Sequence, residues 1–138
     1  MAAPFRAMVC GLGASGVAAA RLLRAEGADV CAVDERDVPE SRGRAATLEA
    51  LGCAVALGTS TPPAGDFDVA VASPGLPVDG AFLSEVRRRG IPLLSEMELG
   101  WSRFRGRTIA VTGSNGKSSV VKALAECLEA SGQRAVPC

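Results

Sequence analysis

Two glycine-punctuated stretches carry the patterns in this sequence that suggest a binding site. The first is Gly11-Leu12-Gly13-Ala14-Ser15-Gly16, a G-x-G-x-x-G. Its chemistry would be diphosphate binding. Gly11 permits a tight turn, Gly13 lets backbone N–H groups approach a diphosphate with no Cβ in the way, and Gly16 lets a helix pack close to a sheet. A helix starting there adds unpaired donors and the positive end of its dipole. Asp34 follows about twenty residues on, where an acid can meet a ribose or a base. The second stretch is Thr112-Gly113-Ser114-Asn115-Gly116-Lys117-Ser118-Ser119, which is similar to a nucleotide-binding P-loop. Gly113, Ser114, Asn115, Gly116 and Ser119 would wrap phosphates with backbone N–H groups. Lys117 would reach the β- and γ-phosphates, and the Ser118 hydroxyl would bind Mg²⁺. The loop departs from the strict G-x-x-x-x-G-K-[ST] pattern, because Val111 holds the first glycine position. The plain alternatives are a ligand-free tight turn for the first stretch and a glycine-rich turn with an exposed lysine for the second.

The elements around these loops decide between the readings. Arg6 to Cys10 is a short apolar run stopped by glycine, which predicts a strand. Ala14 to Glu26 carries Val17, Ala20 and Leu23 at helical spacing and ends at Gly27. Further strands are predicted over 28–33, 53–57, 68–72 and 91–94, and further helices over 42–51 and 79–89. Two prolines make 60–65 a loop. Strands alternating with helices imply βαβ units and a parallel sheet. Residues 96–104 are predicted as a short helix, 108–112 as a strand, and 117–130 as a helix, with another strand expected to begin near Arg134. The first loop thus lies between a strand and a helix, and so does the second, which favours a ligand for each. The expected fold is α/β: a Rossmann-like parallel sheet flanked by helices over 1–95, a linker over 96–106, and the first strand, P-loop and helix of a second α/β domain over 107–138. Trp101 is expected to pack at the domain junction and Cys127 on the core side of the last helix. The apolar residues Ile109, Val111, Val120, Leu124 and Leu128 need a partner surface, either the first domain or a second copy of the chain.

Composition narrows the classes. Apolar residues make up 48% of 138, enough to build a core, and fifteen basic residues cancel fifteen acidic ones. A balanced chain has no global electrostatic reason to bind nucleic acid or an anionic membrane. There is no histidine, so Ser-His-Asp catalysis, Cys-His catalysis and histidine-bearing zinc sites are excluded from this chain. The five cysteines, Cys10, Cys31, Cys53, Cys127 and Cys138, show no C-x-x-C spacing, which favours a reducing cytoplasm over a disulfide framework. No apolar run reaches about 18 residues, so no membrane span is expected. The start of the chain reads straight into the first loop, with no signal peptide.

The two loops together are the informative observation. A dehydrogenase has no use for a P-loop lysine, and a simple P-loop NTPase has no use for a preceding dinucleotide-type domain. A ligase that binds one nucleotide-linked substrate and consumes another nucleotide needs both. At this point the residues resemble the Mur ligase family. The carriers are GLGASG at Gly11 to Gly16, VDER at Val33 to Arg36, ASPGL at Ala72 to Leu76, LLSEMEL at Leu93 to Leu99, and AVTGSNGKSS at Ala110 to Ser119.

The resemblance implies that the first domain binds a UDP-sugar rather than NAD. It assigns Gly11, Gly13, Ala14, Ser15 and Gly16 to the UDP diphosphate, Asp34, Glu35 and Arg36 to the surroundings of the uracil, and Ser73 and Gly75 to a further substrate loop. It assigns Gly113 to Ser119 to ATP, with Lys117 as the catalytic group that offsets charge on the transferred phosphoryl and Ser118 as the contact to nucleotide-bound Mg²⁺. The implied partners are UDP-N-acetylmuramoyl-L-alanine and D-glutamate, and the implied reaction is ATP-dependent, ADP-forming ligation through an acyl phosphate, in the cytoplasm, for peptidoglycan precursor synthesis. Such ligases carry a central ATPase domain and a third domain for the incoming amino acid, so this chain is expected to be a piece of a longer ligase and inactive alone. Two other readings stay open: the NAD(P)-binding domain of a dehydrogenase, and a nucleotide-binding module without chemistry.

Overall fold

The computed structural model describes residues 5–137. The readings of the first four residues as free of a leader, and of Cys138, lie outside them. The chain divides into two compact units, Met1–Phe104 and Arg105–Cys138.

The first unit is a five-stranded sheet with helices on both faces. Its strands are β1 (Arg6–Cys10), β2 (Asp29–Asp34), β3 (Ala54–Leu57), β4 (Val69–Ala72) and β5 (Leu93–Ser95). All four pairings are parallel, and the order across the sheet is β3-β2-β1-β4-β5. The central strand β1 is buried on both faces, which is why it reads as an unbroken apolar run. Period-two alternation splits it between two cores. Ala7 and Val9 join Ala19, Ala20 and Leu23 of α1 (Ala14–Ala25), Leu48 of α2 (Pro39–Ala50) and Leu99 of α4 (Glu96–Arg103). Met8 and Cys10 join Phe67, Ile91 and the Phe82, Leu83 and Val86 side chains of α3 (Ala81–Arg88). Each fully buried leucine here contributes roughly 1.5–3 kcal/mol of transfer free energy.

Helix α4 counts with the sheet, since the division falls after Phe104. Its start is fixed by a capping box: Glu98 N–H donates to Ser95 Oγ at 3.1 Å, and Ser95 N–H donates to Glu98 Oε2 at 2.7 Å. Arg103 near its end grips the Glu26 carboxylate beyond α1 with two nitrogens, at 3.0 and 3.1 Å. Trp101 on this helix is 63% exposed. The α4 face that enters the core is the one bearing Leu99, two residues away and so on another side of the helix.

The second unit departs from expectation. Residues 108–112 form no strand, and none begins near Arg134. A strand exists through its ladder, and among the described residues of this unit there is no second strand to pair with. Helix α5 (Lys117–Ala130) forms where predicted but buries no residue fully. Val121, Leu124, Ala125 and Leu128 are half-buried along one stripe. Cys127 lies off that stripe and is exposed, not on a core side. Among the described residues no helix is long and apolar enough to cross a membrane.

Candidate functional site

Consecutive strands β1, β2 and β3 run outward from the middle of the sheet, and β4 then returns to the other flank of β1. The crevice beyond the carboxyl ends of β1 and β4 is therefore a topological switch point, where open α/β sheets place ligands. The Gly11–Gly16 loop leaves β1 on one side of that crevice, and Ser73-Pro74-Gly75 leaves β4 on the other. The two loops meet closely. Ser73 N–H donates to the Cys10 carbonyl at 2.9 Å. Gly11 has φ +93°, and a Cβ on it would stand 2.9 Å from Ser73 Cβ. Both the left-handed backbone and the approach of Ser73 thus require glycine there.

The loop ends in a cluster of unpaired donors. Gly13 caps α1 with no side-chain hydrogen bond, and the first turn carries no acid. The first intrahelical bond runs from Val17 N–H to the Gly13 carbonyl at 3.0 Å. The N–H groups of Gly13, Ala14, Ser15 and Gly16 consequently have no acceptor within the helix, and they sit at its positive end. Gly16 has a different duty. A Cβ on it would fall 1.9 Å from the Gly11 carbonyl oxygen, so only glycine lets the first turn of α1 lie under the loop.

Asp34 was expected to offer its carboxylate to a ribose or base. It is 5% exposed, and its oxygens are taken by protein donors. Oδ2 accepts from Leu12 N–H at 2.7 Å. Oδ1 accepts from Arg36 N–H at 2.8 Å and from Arg36 Nε at 3.4 Å. Burial by itself pushes this carboxyl up; the backbone donors of Arg36 and Leu12, and then the Arg36 guanidinium, outweigh it and hold the group below its ordinary value. Asp34 therefore joins the glycine loop to the turn after β2. Glu35 and Arg36 are exposed on that turn, and Arg36 remains free to reach a ligand with most of its guanidinium.

Of the residues singled out for the UDP-sugar, the fold brings Gly11, Gly13, Ala14, Ser15, Gly16, Asp34 and Ser73 to one end of the sheet. Glu35, Arg36 and Gly75 lie on exposed turns at the same strand ends. One participant went unseen in the sequence. Arg44 of α2 donates from Nη1 to the Leu12 carbonyl at 2.9 Å and from Nη2 to Glu40 Oε1 at 2.7 Å. The Glu40/Arg44 spacing is a readable i,i+4 pair, but its reach of 32 residues back to Leu12 has no local signal.

The second loop belongs to the second unit. Gly113 and Gly116 have φ of +150° and +77°, and Gly116 caps α5 with no side-chain hydrogen bond. Ser114, Asn115, Ser118 and Ser119 are exposed. The Lys117 ammonium donates to the Gly113 carbonyl, closing the loop on itself. The first turn of α5 contains no acid. Uncapped donors, a lysine across the loop and three serine hydroxyls fit a phosphate chain with its Mg²⁺. Among the described residues no cluster of acidic, cysteine or histidine side chains could hold a metal unaided.

Comparison with known proteins supports a specific kinship. The family described as "Mur ligase MurD-like, N-terminal domain" matches residues 5–95. A UDP-N-acetylmuramoylalanine--D-glutamate ligase of Frankia casuarinae is 46% identical over 129 residues, 92% of this chain and 27% of its own length. The ligase of the same name from a Synechococcus strain is 42% identical over 131 residues, 94% of this chain and again 27% of its own. The chain thus spans under a third of the length of these curated relatives. The crystal structure of a UDP-N-acetylmuramate-alanine ligase from Thermotoga maritima superposes with a TM-score of 0.60 at 22% identity, over 91% of this chain and 29% of that one, a likeness of fold.

Proposed function

The chain belongs to the Mur ligases, through the N-terminal domain of the MurD-like group, and on that premise we propose that its glycine loop binds the diphosphate of UDP-N-acetylmuramoyl-L-alanine. In this reading it is the N-terminal part of an ATP-dependent ligase that joins D-glutamate to the alanyl carboxylate in cytoplasmic peptidoglycan precursor synthesis. The observation that carries the reading is the set of unpaired N–H donors from Gly13 to Gly16, placed at the switch point with Ser73 facing them. Those donors are fixed before a ligand arrives, so little ordering cost accompanies binding. The exposed Arg36 guanidinium is suited to stack on or hydrogen-bond to the uracil.

One observation weighs against the dehydrogenase alternative. A dinucleotide site uses the acid at the end of the second strand to hold a ribose diol. Here Asp34 is buried and engaged by Leu12 and Arg36.

The Gly113–Ser119 loop is the proposed ATP contact. Bound ATP with Mg²⁺ would supply the phosphoryl group that activates the alanyl carboxylate as an acyl phosphate. For its part, Lys117 would exchange the Gly113 carbonyl for phosphate oxygens, and the Ser118 hydroxyl would face the metal. Residues for D-glutamate would come from the remainder of the ligase, and this chain alone is proposed to lack ligation activity.

Titration calorimetry tests the reading. UDP-N-acetylmuramoyl-L-alanine is expected to bind the chain and NADH is not. Binding of NADH with no heat from the UDP-sugar would refute the assignment.

A further inference from the structure

We infer that Arg44 is a positioning residue of the diphosphate site, acting through the Leu12 carbonyl to aim the Gly13 N–H. The inference rests on the glycine-loop reading above. It begins with the peptide that links Leu12 to Gly13. The described backbone has no cis peptide bonds, so the Leu12 carbonyl and the Gly13 N–H point in opposite directions in one plane. Whatever holds the carbonyl also aims the donor. Arg44 Nη1 holds that carbonyl at 2.9 Å from the far side of the loop. Its guanidinium cannot swivel freely, because Nη2 is held by Glu40 at 2.7 Å one helical turn earlier.

The preceding peptide is tied separately, by Asp34 to Leu12 N–H at 2.7 Å. Each peptide plane beside Leu12 is thus gripped by a charged side chain from a different element, β2 on one side and α2 on the other. The Leu12 side chain between them is fully buried. The grips matter because Gly11 and Gly13 have no side chains of their own to fix their dihedrals. Without Arg44 the Gly13 donor would wander, and a diphosphate would have to order it on binding.

The test uses UDP as the probe and the 138-residue chain as it stands. Two variants are compared, Arg44→Met and Arg44→Lys. Lysine keeps the charge but lacks the planar fork that spans Leu12 and Glu40. Loss of one preorganising charged hydrogen bond is expected to weaken UDP binding about tenfold in both. The thermal midpoint should stay close to the parent's. The ratio of variant to parent Kd should also hold as salt is raised, since a through-space charge effect would be screened. Should the methionine variant fail to fold, the lysine variant decides alone. Parent-like UDP affinity in a folded variant, or a deficit that vanishes with salt, would overturn the inference while leaving the diphosphate reading intact. A parent chain that does not bind UDP would overturn both.

Discussion

At the scale of single residues, Asp34 ties the glycine loop to the turn after β2. Its carboxylate is buried and accepts from two backbone N–H groups of two different loops. The folded group titrates below its ordinary value of 3.8. Its contribution to stability is therefore complete at neutral pH and is lost as pH falls below about 4 and through the lowered folded value. Asp34→Asn replaces one charged acceptor with a donor that faces an N–H. The variant is expected to lose roughly 1–3 kcal/mol at pH 7, and its loss relative to the parent should shrink under acid. Denaturant unfolding across pH 3–7 measures both; a loss constant with pH would contradict the assignment. Sequence placed Asp34 at the end of β2 and at the site. It could not say that Leu12 takes Oδ2, because Leu12 becomes a neighbour of the carboxylate only when β1 and β2 pair, whereas the Arg36 bonds to Oδ1 are local.

At the scale of elements, the join between the glycine loop and α1 depends on one missing side chain. Gly16 lies in the first turn of α1, directly over the Gly11 carbonyl, where a Cβ would meet backbone at 1.9 Å. Backbone cannot rotate aside as a side chain can. Gly16→Ala is expected to destabilise the first unit by about 3 kcal/mol or more and to broaden the amide resonances of residues 11–16. An alanine variant with parent stability would mean that α1 can slide on the sheet. This join was legible, since glycine at the last position of the motif signals close helix packing. The five strands of the first unit were legible for a related reason: each is a short apolar run between turn residues. The expected strand at 108–112 fails where the others succeed, although its TIAVT sequence is as strand-like as theirs. Local preference proposes a strand, but a neighbouring edge makes one, and the described residues of the second unit supply none.

The whole molecule pairs a finished core with an unfinished one. The first unit buries side chains on both faces of its sheet. The second exposes Ile109, at 60%, and half-exposes the Val121-Leu124-Leu128 stripe, with no fully buried residue in α5. An isolated helix of this length is marginal in water. We propose that a second copy of the chain covers that stripe when the chain is studied alone. Amide-exchange protection in 117–130 should then rise with protein concentration, alongside a shift toward dimer in sedimentation, and Leu124→Lys should abolish both. Protection independent of concentration would contradict self-association. The relatives, more than three times as long, carry further chain that could serve the same purpose.

Main-chain amides at the start of α1 are proposed to receive the diphosphate of a uridine nucleotide. A crystal structure of this chain with UDP decides the matter. The prediction is a diphosphate within hydrogen-bonding distance of the N–H groups of Gly13, Ala14 and Ser15, with the uracil beside Arg36. A uridine nucleotide bound elsewhere, with that helix start holding only water, would contradict it.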